Sequence, residues 1–189
     1  MGTEQKIKIN GVKSGLWLGL AITSLGIFYF YYITSIAKSA ILLVAGPVFF
    51  YLFIPIFIIV FLCFDQRRKI GGYWTFKQAT TGIFITFLTA FILYTVSMNL
   101  IFYKFIEPGY LHKTQIAVIS AKTQFMKQRG LDKTVIDKNI AQMNKDLVQQ
   151  QNVTIGTTIQ WTMIYILFIF IFSLVFGALF KKEPPVYTS

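Results

Sequence analysis

Residues 65–105 constrain this chain more than any other stretch. They open on a charged run, Asp65-Gln66-Arg67-Arg68-Lys69, and pass through Gly71-Gly72-Tyr73-Trp74. From about Ala79 to Phe105 there is then no charge before Lys104. A run of that length exceeds the roughly 20 apolar residues a helix needs to cross the hydrocarbon core of a bilayer. Inside lipid every backbone N–H and C=O must be satisfied within the segment, so an open chain can cross only as a helix. The stretch therefore predicts a short basic turn, an aromatic interface belt and a membrane-spanning helix. In the belt Tyr73, Trp74 and Phe76 sit at headgroup level, and Lys77 extends its ammonium toward water. Gly71-Gly72 permits the tight reversal that the turn requires.

Three further apolar runs share this character. Of the 189 residues 55% are hydrophobic and 13% charged, whereas a soluble domain carries about 25% charge. The predicted fold is all-α and polytopic, with spans at about 15–33, 40–64, 79–105 and 157–180. Residues 1–106 hold the amino terminus and three spans, 107–154 an extramembrane amphipathic helical hairpin, and 155–189 the last span and tail. The first span has a basic start, but its apolar stretch is longer than the roughly 7–15 residues of a signal-peptide core, so a retained anchor is expected.

Within the spans, small and polar residues carry the information. Gly11, Gly15 and Gly19 are spaced by four and Thr23 continues the row. That spacing lines one helix face and lets a second backbone come close, in the same chain or in a partner. Pro47 and Pro55 in span two each remove a backbone donor and predict a bend or a locally opened helix. The threonines of span three can bond to their own helix backbone. Asn99 is more informative, because an amide in hydrocarbon needs a partner; it is expected to clamp helices together or to line a polar cavity.

Charge placement sets orientation. Lys6, Lys8 and Lys13 precede span one, Arg67, Arg68, Lys69 and Lys77 join spans two and three, and Lys181 and Lys182 follow span four. The short first loop has Lys38 alone. Four spans bring the three basic ends to one side, which the positive-inside rule makes cytoplasmic, together with both termini. The formal net charge of +11 thus reads as topology signal and as attraction to anionic lipid heads, and not as a nucleic-acid surface.

Between spans three and four, Glu107-Pro108-Gly109 opens a polar segment. One helix is expected up to Arg129, stopped by Gly130, and a second from Asp132 as N-cap. Ile136, Ile140, Met143 and Leu147 form one stripe of the second helix. That stripe could pack on the first helix, receive a partner helix, or lie on the bilayer. Asn152-Val153-Thr154 matches a glycosylation acceptor.

Several segments resemble a bacterial family of small four-span membrane proteins known as domain of unknown function 4199. They are Gly71-Gly72-Tyr73-Trp74-Thr75-Phe76-Lys77-Gln78-Ala79 followed by Thr81-Gly82, the exit Phe105-Ile106-Glu107-Pro108, and Lys127-Gln128-Arg129-Gly130-Leu131-Asp132-Lys133-Thr134-Val135-Ile136. The close Gly177-Ala178-Leu179-Phe180-Lys181-Lys182 belongs with them. The resemblance covers most of the chain. It implies four spans, a soluble insert before the last one, and a bacterial inner membrane, where glycosylation has no meaning. It carries no catalytic or binding residue.

Chemistry is sparse. Asp65 and Glu107, the acids nearest the spans, lie at opposite faces and cannot act as a pair. Cys63 and His112 are solitary and lack the companions of a metal site. No phosphate-cradling loop is present. The expectation is a protein without catalytic residues, metal or cofactor and with no small-molecule substrate identified. Its partners would be the bilayer, other membrane proteins or a second copy. It would serve as an anchor, scaffold or accessory subunit that presents the outer hairpin; a small oligomeric channel or transporter, or a lipid-binding protein, is the alternative.

Overall fold

The computed structural model describes residues 2–36, 40–151 and 154–183, the side chains of residues 40, 43, 44 and 147–151 excepted. Lys38, Asn152, Val153 and the side chain of Leu147, all named above, lie outside the described residues. What is described is mostly helical, and no strand is present among the described residues. α1 (Thr3–Tyr31) continues into π-helical turns at Tyr32–Ile36. α2 (Ala40–Val48) and α3 (Ile54–Lys69) are joined by π-helical turns at Phe49–Phe53. α4 (Phe76–Val96) continues through π-helical turns to Ile106. α5 (Tyr110–Gln128), α6 (Lys133–Gln151) and α7 (Ile155–Phe180) complete the order.

Four of these helical runs are long and apolar enough to cross a membrane: Thr3–Ile36, Ala45–Lys69, Phe76–Ile106 and Ile155–Phe180. Their outer faces are greasy, with Phe57 74% and Phe61 71% exposed. Such faces are stable beside lipid tails, which are as apolar as the side chains themselves.

Three of the spans are longer than the sequence suggested, and the second is shifted to Ala45–Lys69 at the same length of 25 residues. The first begins at Thr3, where Glu4, Gln5, Lys6 and Lys8 are good helix formers that extend the rod at its amino-terminal end. At 34 residues it measures about 51 Å, well beyond a hydrocarbon core of about 30 Å. The charged run Asp65 to Lys69 is not a turn but the last turn of α3, where Arg67, Arg68 and Lys69 face the helix's negative end. The reversal follows it, with Gly71 at φ +106° and Gly72 at φ +85°. Both are conformations that a side chain disfavours. Thr75 then starts α4 through a capping box with Gln78. In span two the effect of the prolines is a widening: Pro55 has no N–H to offer, and the turns before it are π-helical.

α4 is the central helix. α1 packs along one side of it and α7 along another, while α3 leans on α1. The first and last described helices bring Ile7 and Lys182 to one end of the bundle. Ile7 of α1 lies beside Gly82, and Lys182 pairs with Trp74. α5 and α6 sit at the opposite end, where α5 touches α2 and the end of the first span.

Candidate functional site

The seam between α1 and α4 is built on glycine. A methyl group at Gly15 would stand 2.5 Å from Thr89 Cβ and 2.7 Å from the Thr86 carbonyl oxygen. At Gly19 it would meet Leu93 Cδ2 at 2.9 Å and Ala90 Cα at 3.2 Å, and at Gly11 the Gly82 carbonyl oxygen at 3.0 Å. The glycine row thus faces α4 of its own chain over three turns. α7 approaches the other side through Gly177, where a methyl group would overlap Thr80 Oγ1.

Thr86 is the polar centre of the seam. Its hydroxyl lies 2.9 Å from the Gly82 carbonyl oxygen and 3.2 Å from that of Gly11, so it can donate along its own helix or across to α1. Gln66 Nε2 donates to the same hydroxyl at 2.9 Å. One side chain therefore links α1, α3 and α4. Gln66 is 2% exposed, and reading 65–69 as a turn concealed it. The signal was present, because Leu62, Cys63 and Gln66 are all buried on the inward face of α3 at spacings of one, three and four. Thr23 and Ser173 spend their hydroxyls on carbonyls of their own helices, at 2.7 and 2.6 Å.

Trp74 corrects the interface-belt expectation. It is 1% exposed and packs in a cluster with Cys63, Ala79, Ile83 and Phe180. The missing Cβ of Gly82 makes room for its ring, since a methyl there would stand 2.8 Å from Trp74 Cζ2. Its backbone exchanges two hydrogen bonds with Lys182, at 2.6 and 2.8 Å. Arg67 Nη1 donates to the Phe180 carbonyl oxygen at 3.4 Å, which places a cation on the unsatisfied carbonyl end of α7. Lys69 pairs with Asp65 at 2.6 Å, while Arg68 and Lys181 are exposed.

Asn99 is also placed differently from expectation. It is exposed, and its side chain makes no hydrogen bond to another described residue. Within the π-helical continuation of α4, Met98 and Phe102 take the inward positions. Asn99 lies about 10 Å before the end of a helix that measures about 46 Å. The run outlasts the roughly 30 Å of hydrocarbon, so this amide can meet headgroup water in place of a partner helix.

α3 and α7 meet at the basic end, where the Phe64 ring lies 5.1 Å from that of Phe180, and stand apart farther along. Between them lies a groove of about 460 Å³, floored by Leu18 of α1 and Ala90 of α4, flanked by Ile56 and Ile59 on one side and Ile169 and Phe172 on the other. Tyr51, Tyr94 and Tyr165 line it as well.

At the far end Tyr110 fixes α5 to the bundle. Its ring lies 4.9 Å from that of Phe30, within the range of favourable aromatic pairing, and closer still, at 4.1 Å, to that of Tyr103. α6 packs against α5. Of its stripe, Ile136 is buried and Ile140 and Met143 are half-buried. Gly130 joins the two helices at φ +70°.

No group of three or more His, Cys, Asp or Glu side chains converges among the described residues. His112 is exposed and Cys63 buried. No curated protein and no solved structure matches the chain. Residues 13–182 match the family model described as "Protein of unknown function (DUF4199)", and with nearly the whole chain inside that match it belongs to this family.

Proposed function

We propose that the protein is a non-catalytic accessory subunit or scaffold of a membrane complex. The four helices anchor it, and α5–α6 present a surface to a partner. The observation that supports this reading most is the seating of α5: the Tyr110 ring packs against those of Phe30 and Tyr103, which in this reading holds the extramembrane helices at a fixed place relative to the bilayer. A helix so held can dock without first losing the orientational freedom that a tethered one would lose. A pore through a single chain gains no support, because the buried hydroxyls of Thr23, Thr86 and Ser173 are spent on backbone carbonyls. The membrane is a bacterial inner membrane in this reading, and the basic end that carries both termini and Arg67–Lys69 faces the cytoplasm.

Photo-cross-linking in cells from Lys138 and Gln142 of α6, both exposed, tests the scaffold. One defined protein adduct is expected, weakened by Tyr110→Ala. Recovery of the chain as a lone monomer, with no adduct from any α5–α6 position, would sink the proposal. Cysteine labelling of intact cells at Lys122 and Lys69 tests orientation independently: only Lys122 should react.

A further inference from the structure

At the basic end, the margin between α1 and α4 holds a small cleft. Its walls are Glu4, Ile7 and Lys8 of α1 and Lys77, Gln78 and Thr81 of α4. Glu4 and Lys8 are one turn apart, as are Lys77 and Thr81, so each helix lends the cleft a short row from one face. The two rows are fixed against each other. Ile7 is 3% exposed, and its Cγ2 lies 3.2 Å from where a methyl group on Gly82 would stand. From there the close contacts ascend both helices together, Gly11 on Gly82, Gly15 on Thr86 and Gly19 on Ala90. α1 and α4 therefore run in the same direction, and the tight seam sets the register of the cleft's side chains.

Those side chains are free to receive a ligand. Among the described residues the ion pairs are Lys69 with Asp65 and Lys113 with Glu107, so Glu4, Lys8 and Lys77 have no ionic partner there. All three are exposed. Gln78 accepts the Thr75 N–H on its side-chain oxygen at 3.1 Å, which leaves its NH2 group to donate. Thr81 adds a hydroxyl.

Depth and charge select the ligand. α7 lies beside this part of α4, with Gly177 against Thr80, and its apolar run stops at Phe180 before Lys181 and Lys182. Tyr73 and Phe76, where α4 begins, are exposed. Such rings and lysines gather where lipid tails give way to headgroups, so the cleft lies at headgroup depth. Its two ammonium groups, amide and hydroxyl suit a phosphodiester. Glu4 would repel a further anion and suits a cation carried just beyond the phosphate. It precedes Lys8 by about 6 Å along the helix axis, on the side away from the hydrocarbon. In an ethanolamine lipid a two-carbon link joins the phosphodiester to its ammonium.

We propose that this cleft binds the phosphoethanolamine head of a phospholipid in the leaflet at the basic end, with Lys8 and Lys77 on the phosphate and Glu4 on the ammonium. The site is at the opposite end of the bundle from α5–α6, so it and the scaffold reading stand or fall separately.

Full-length protein in nanodiscs of phosphatidylcholine with a minor share of phosphatidylethanolamine provides the test. A water-soluble carbodiimide activates a carboxylate, and a lipid amine held against it is captured as an amide. Mass spectrometry of the digested protein should find the lipid on Glu4 in preference to Asp65 and Glu107. Lys8→Gln with Lys77→Gln, both at exposed positions, should cut the Glu4 adduct about tenfold. Lys8→Arg with Lys77→Arg should retain it. Phosphatidylglycerol in place of part of the phosphatidylcholine should leave the adduct within about twofold, and soluble glycerophosphoethanolamine should not compete. Coupling of Glu4 to Lys8 or Lys77 in place of the lipid, adducts spread evenly over the acids, or adducts indifferent to the loss of both lysines would each overturn the site. Displacement by phosphatidylglycerol would overturn the role of Glu4, and displacement by glycerophosphoethanolamine would overturn the lipid as the source of the headgroup.

Discussion

Two helix pairs of the bundle, α1 with α4 and α3 with α7, are built on opposite rules. Between α1 and α4 the contact residues are Gly11, Gly15, Gly19 and Gly82, and backbone meets backbone with no room for a methyl group. Between α3 and α7 the facing residues are Tyr, Phe and Ile, and the helices stand apart around a groove. Both lie in the spans. In lipid, where burial gives no drive for helices to associate, the contact that holds is the one where dispersion acts at shortest range. Small residues close a seam; large ones prop it open.

The largest expected effect comes from reversing that rule in the closed seam. Gly15→Leu should destabilise the protein by about 3 kcal/mol or more, since the nearest obstacle includes the Thr86 carbonyl oxygen, which cannot rotate away. Unfolding in graded sodium dodecyl sulfate would measure it; a loss below about 1 kcal/mol would mean that the helices can shift apart at little cost. Gln66→Ala comes next. It removes the bridge to Thr86 and leaves a hole between three helices, for an expected loss of about 2 kcal/mol. Gln66→Leu should recover more than half of that, because Thr86 still has the Gly82 carbonyl and the volume is refilled. Equal losses for the two variants would show that the hydrogen bond, not the space, is what matters. In the open seam the same enlargement should be tolerated: Leu52→Trp is expected to stay within about 0.5 kcal/mol of the parent. The smallest effect is expected for Asn99→Leu, also within about 0.5 kcal/mol. A larger loss would restore this amide to the clamp that its sequence context suggested.

The four spans could be read from sequence because an apolar length needs no knowledge of its neighbours. The reversal at Gly71-Gly72 was also readable, since glycine pairs have a local conformational meaning. Which face of each rod turns inward was harder to see. In a soluble helix the core face is marked by its contrast with a polar surface. Here the lipid face is as greasy as the core face: Phe57 and Phe61 point out while Leu62 and Cys63 point in. Trp74 shows the cost. An indole suits a headgroup belt and a buried cluster equally well, and only the absence of a Cβ at Gly82, eight residues on, makes the second place available. Gln66 was hidden for the opposite reason, since charged neighbours on both sides made it look like surface. The open groove is a property of a helix pair that meets at one end and diverges from there, and no single segment carries a sign of that.

The paired backbones of Trp74 and Lys182 bear on the order of assembly. Lys182 is synthesised after all four spans, and it is the residue that completes the hydrogen bonding of the turn between the second and third. During biogenesis the first three spans must therefore wait with Trp74's amide unlatched until the fourth has been inserted. A nascent chain halted before Lys182 would hold its helices in place but without the final fastening at their basic end.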